Sequence, residues 1–133
     1  MRISISTALL MASICLVPVA ASAASGSYIC AINEVYECQA VTGCQRASLD
    51  AINLSEFIVL DVDKKQLTSA SIGEEGRTED IEGLTSTDKA IFLYGTQGED
   101  TWNATVSLTT GALTGGISSG TSSFALFGSC TQK

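Results

Sequence analysis

Thr101–Gly116 reads TWNATVSLTTGALTGG, and its alternation decides the fold class. Trp102, Ala104, Val106 and Leu108 fall on one parity, while Thr101, Asn103, Thr105 and Ser107 fall on the other. Successive side chains of a strand point to opposite faces, so this period of two predicts a strand with one buried face. Thr109-Thr110-Gly111 supplies a turn, and Leu113 opens a return strand that runs to about Ile117. Gly115, Gly116 and Gly120 loosen that return and predict a bulge or a close backbone approach.

The same grammar extends in both directions. The closing SSFALFGSC places Phe124, Leu126, Gly128 and Cys130 on one face and Ser123, Ala125, Phe127 and Ser129 on the other. Upstream, EFIVLDVDKKQLTSASI gives a β-rich run, a polar turn at Asp63-Lys64-Lys65 and a second run from Gln66 to Ile72. Its Leu67-Thr68 aligns with Leu113-Thr114, a match that a duplication or a recurring hairpin pattern explains equally well. AIFLY, Ala90 to Tyr94, is a continuous apolar run of the kind expected of a strand buried on both faces. GEEGRTEDIEG, Gly73 to Gly83, is acidic and bounded by glycine, which predicts an exposed connection or a charged edge strand. Helical periodicity is weak, and only Arg46 to Ile52 suits a turn or two of helix. The expected fold is all-β, a small antiparallel barrel or sandwich of about seven to eight strands.

The first residues have a different character. Met1-Arg2, an apolar run from Ala8 to Ala20 and the small-residue motif Ala21-x-Ala23 describe a secretory signal. The expected division is a signal peptide over residues 1–23 and a single β-domain over 24–133. An uncleaved anchor is disfavoured by Pro18 and the small-residue tail, and Cys15 lies inside the apolar core of the signal without a lipidation motif. Losing Arg2 with the signal leaves 6 basic residues against 14 acidic ones, a net charge of −8. Such a chain offers no basic patch for nucleic acid and no attraction to an anionic membrane. Its field favours a basic protein or cationic peptide as partner. The expected location is the periplasm or the secreted fraction.

Four cysteines remain after cleavage: Cys30, Cys38, Cys44 and Cys130. An even number in a short exported domain predicts a disulfide framework. Zinc is disfavoured because the spacings C-x7-C and C-x5-C lack close C-x2-C pairs and the chain has no histidine. Cys30 shares a face with Tyr28 and Ile32, and Cys130 shares one with Phe124 and Leu126, so both point to the core. The pairing expected from this is Cys30–Cys130, first strand to last, with Cys38–Cys44 as a local clasp.

The absence of histidine removes serine triads, cysteine–histidine dyads and histidine-based metal motifs. Carboxylate chemistry stays formally open, yet Glu34, Glu37, Asp61, Asp63, Glu99 and Asp100 are each expected to be solvated surface groups. No catalytic, cofactor-binding or metal-binding residue is assigned, and no cofactor is expected. DVDKK at Asp61 opens like a calcium loop but lacks the third acid and the glycine. The acidic run 74–82 reads first as a hydrated loop and second as a weak cation binder. Trp102 is expected in the core, and Tyr28, Tyr36 and Tyr94 are candidates for a contact surface.

Taken together, YIC near the start, ECQAVTGC soon after, WNATVSLTTGALTG and the closing FALFGSC resemble small exported bacterial proteins of the periplasm. That resemblance implies a periplasmic β-domain and implies no activity. A more distant resemblance links Cys30 and Cys130, one near each end, to the small periplasmic inhibitors of C-type lysozymes, which are compact β-barrels. No residue is carried over from their inhibitory loop. The expected function is non-enzymatic, a binding or structural protein of the cell envelope. Inhibition of a basic enzyme such as lysozyme and carboxylate-dependent hydrolysis are the alternatives.

Overall fold

A computed structural model describes residues 23–70 and 76–133. The expected signal peptide, up to the last residue of its cleavage motif, lies outside the described residues, as do residues 71–75, which take in the end of the Gln66–Ile72 run and the start of the acidic one. The chain forms β1 (Ser27–Gln39), β2 (Gly43–Ala47), a 3-10 turn (Asp50–Ile52), β3 (Phe57–Asp61), β4 (Gln66–Ser69) and β5 (Thr78–Asp80). It continues through β6 (Gly83–Ser86), β7 (Ala90–Gln97), β8 (Asp100–Ser107), β9 (Ala112–Ser119) and β10 (Ser122–Gln132). All pairings are antiparallel, in the order β5-β4-β3-β1-β10-β9-β8-β7-β6, with β2 standing off β1 as a short hairpin arm. The architecture is therefore an all-β, disulfide-linked sheet that curls on itself.

The curl brings both ends of the sheet to one stretch of chain. β5 and β6 are separated only by Ile81 and Glu82, whose amides donate in opposite directions, to the carbonyl of Lys65 at 2.9 Å and to that of Tyr94 at 3.1 Å. Residues 78–86 thus act as one bent strand lying between β4 and β7. Side chains reinforce both borders. Gln66 donates to Asp80 at 3.1 Å and Thr68 bonds Thr78 at 3.1 Å on the β4 side; on the β7 side Thr96 donates both its amide and its hydroxyl to the Glu82 carboxylate. Where it is described, the charged run supplies β5, which ends the strand order as a charged edge strand with Thr78 and Asp80 exposed, while Ile81 within it is buried. With β5 and β6 taken together and β2 set aside, eight strands line the curl.

The core sits on the concave side. Tyr28, Cys30 and Ile32 of β1 face it, and a bulge between Ile32 and Glu34 shifts the parity so that Val35 follows them inward. Glu34 and Tyr36 are thereby sent to the outside. Leu60, Val62, Ile91, Leu93, Val106, Leu113 and Leu126 complete the buried set with Ile81 and Cys130. The alternation of β8 and β10 matches the sequence pattern. AIFLY does not: Ile91 and Leu93 are buried, but Phe92 and Tyr94 are 46% and 59% exposed. Its strand has one buried face, and the outward Tyr94 ring lies where a side chain on Gly83 of the neighbouring strand would stand.

Two disulfides lock this register. Cys30 and Cys130 are directly opposite across β1 and β10 and are bonded, closing a sequence separation of 100 residues. Cys38 and Cys44 are opposite across β1 and β2 and are bonded over a separation of 6.

Candidate functional site

The concave side is not filled along its whole length. A cavity of about 390 Å³ opens at the end where the β1–β2, β7–β8 and β9–β10 turns gather. Its wall follows from alternation, because the inward parity of each strand is apolar at depth and turns polar at the mouth. On β8 the inward series climbs from Val106 through Ala104 and Trp102 to Asp100; on β9 it climbs from Leu113 through Gly115 and Ile117 to Ser119. On β7 it runs from Leu93 through Gly95 to Gln97, and on the seam strand it ends at Glu79 and Arg77. Ile32, Leu60, Leu67 and Leu126 close the remaining sides. The 3-10 turn and its flank, Ala51 to Leu54, form the rim above them.

Trp102 is the only tryptophan of the chain and is half-buried in this wall. It pairs with Gly95 on β7, where an added Cβ would stand 2.6 Å from the indole ring, and with Ile117 on β9. Glycine at 95 is what allows the large ring to lie across the neighbouring strand and leave the centre of the curl open.

The charged groups at the mouth are unequal. Arg77 Nε lies 2.9 Å from Glu79 Oε1, and Gln97 donates to the same carboxylate oxygen at 3.0 Å. No side-chain hydrogen bond or ion pair engages Asp100 among the described residues, and none of the described polar or charged side chains is buried.

The other acids singled out in the sequence are distributed elsewhere. Glu34, on the outer face, accepts the Tyr36 hydroxyl at 2.9 Å and lies 3.8 Å from Arg46; its carboxylate opposes formation of a phenolate and raises the Tyr36 pKa above its ordinary 10.0. Glu37 accepts from Gln39 and Ser122, both at 3.0 Å. Asp61 accepts the Lys64 amide at 2.9 Å and pairs with its ammonium at 3.5 Å, and the amide bond is the main cause of a pKa below the ordinary 3.8. Asp63 accepts the Gly26 amide at 3.0 Å. Glu99 sits exposed in the β7–β8 turn. Asp61 thus organises a turn and Asp63 ties it to Gly26, and no group of three or more acids or cysteines suited to a metal ion occurs among the described residues.

Asp100 is partly exposed and lines the cavity mouth. The three tyrosines do not form a common surface. Tyr28 is buried, Tyr36 packs edge-on against Phe127 with ring centres 6.1 Å apart, and Tyr94 lies beyond β10, β9 and β8 from it. Glu79, Gln97 and Ser119 escaped sequence reasoning; the available signal was their parity with Ile81, Leu93 and Ile117. Comparison with family models, with curated proteins and with solved structures returned no significant match.

Proposed function

We propose that this chain is an exported, non-enzymatic binding domain of the cell envelope that holds a small molecule inside its curled sheet. The observation that carries this reading is the cavity: about 390 Å³, apolar at depth, with polar groups confined to its mouth. Binding sites for small ligands typically span roughly 300–1,000 Å³ with this division between apolar walls and a few orienting polar groups. Antiparallel curls of about eight strands are just wide enough to be filled by side chains or to hold one small ligand. Here Ala104 and Gly115 in the wall, and Gly95 beneath the Trp102 ring, leave the second option open. Export is supported by the leader-like first residues and by two disulfides, which persist in oxidising compartments.

The test is titration with the neutral apolar dye N-phenyl-1-naphthylamine, excited through Trp102. Saturable energy transfer from the indole and a raised melting temperature are the expected results. Unchanged tryptophan emission and melting up to the solubility of the dye would overturn the reading. Osmotic-shock fractionation tests the location: the chain is expected in the shock fluid, and retention in the cytoplasm speaks against export. A basic protein partner such as lysozyme is the second reading, supported by the acidic charge of the chain. It predicts reduced lytic activity at micromolar protein, and undiminished lysis overturns it.

A further inference from the structure

We propose that the cavity takes a single-chain amphiphile with a cationic head, its tail running past Trp102 and its ammonium group at the Asp100 carboxylate. This rests on the binding reading above and adds the chemical class of the ligand.

The polarity of the wall has a direction. From Val106 to Asp100 along β8, and from Leu113 to Ser119 along β9, apolar side chains give way to polar ones at the opening. A wholly apolar ligand would leave that polar ring desolvated without a partner, and a wholly polar one would face aliphatic walls at depth. An amphiphile satisfies both ends.

The charges at the mouth then select the head. Arg77 and Glu79 neutralise each other at 2.9 Å, and Gln97 donates to Glu79 at 3.0 Å. An anionic head would have to displace Glu79 from Arg77, losing a charge-assisted bond to gain one. Asp100 requires no such exchange, because its carboxylate has no ion-pair partner among the described residues and stands on the same strand face as Trp102. The acidic net charge of the chain, −7 over the whole sequence, adds a field of the same preference.

The experiment compares decylamine, decanol and decanoate as displacers of N-phenyl-1-naphthylamine at pH 7, each below its aggregation threshold, with a second series varying amine length. An alkylammonium is charged at this pH, since such groups titrate near 10.4. Decylamine is expected to displace the dye at concentrations on the order of tenfold lower than decanoate, with the gap narrowing as salt is added. Affinity is expected to rise by about fourfold per methylene and then to level off when the cavity is full, a ceiling that binding on an open surface would not show. Asp100→Asn brings the amine down to the alcohol, and Ala104→Leu, which narrows the cavity, weakens every member of the series. Phe92→Ser, on the outer face, changes none of them.

Equal or tighter binding of decanoate, or an amine advantage that survives Asp100→Asn, overturns the cationic head while leaving the binding reading in place. Failure of all three head groups to displace a dye that does bind overturns the amphiphile. If neither dye nor amphiphile binds, the binding reading itself falls. Should Ala104→Leu fold poorly, Asp100→Asn at the solvent-facing mouth still decides the head group.

Discussion

Gly128 faces the carbonyl of Ala31 across β10 and β1, beside the bulge that turns Val35 inward, and a Cβ there would stand 2.1 Å from the carbonyl oxygen. Backbone does not yield as a flexible side chain does, so the strands would have to part. Gly128→Ala is expected to lower stability by about 1–3 kcal/mol, read by chemical denaturation. In the β3–β4 turn, Asp61 holds the Lys64 amide, and its pKa lies below the ordinary 3.8. A carboxyl with a depressed folded pKa stabilises the native state above its unfolded value, and that contribution disappears as pH falls through the folded one. The stability difference between the wild type and Asp61→Asn is therefore expected to be constant near neutrality and to vanish in acid below 3.8. Melts across that range check it, and a difference that persists in acid would contradict the assignment.

The seam strand 78–86 is the element on which the shape depends, because it borders both β4 and β7. Glu82 secures its outer side through two bonds from Thr96. Glu82→Ala is expected to cost about 1–2 kcal/mol and to speed hydrogen exchange more at the Thr96 amide than at the core amide of Cys30. This element was the least legible in the sequence, for a physical reason. Its inward Glu79 and the preceding Arg77 lie at a polar mouth, so only Ile81 marks the buried parity. Along Trp102–Val106 of β8 and Phe124–Cys130 of β10 the inward positions are free of charge, the period of two is unbroken, and the faces were readable. AIFLY misleads in the opposite way, because Phe92 and Tyr94 are apolar yet outward, with Tyr94 covering Gly83. The mouth itself was hidden: parity puts Asp100 on the Trp102 face, but only the curl brings Glu79, Gln97 and Ser119 beside it.

For the molecule as a whole, the disulfides act mainly on the unfolded chain. Closing a loop of about 100 residues removes entropy worth about 4.7 kcal/mol on the chain-entropy account, and the short clasp about half as much. Cys30→Ser with Cys130→Ser is expected to lose most of the former, while Cys38→Ser with Cys44→Ser loses the smaller amount. Denaturation of the two double variants checks the ranking, and equal losses would contradict it. The pairing was readable because both cysteines share a face with core residues of the first and last strands. The strand order that sets them side by side came only from the fold.

One covalent consequence follows from the bond between β1 and β10. Residues 30 to 130 form a ring, part peptide and part sulfur. A protease that cuts once within it, for example at the exposed Thr109-Thr110 turn, creates two new chain ends but no second molecule. Nicked protein is expected to migrate as one species without reductant and as two with it, so a single cut in a protease-rich compartment need not scatter the strands that enclose the cavity.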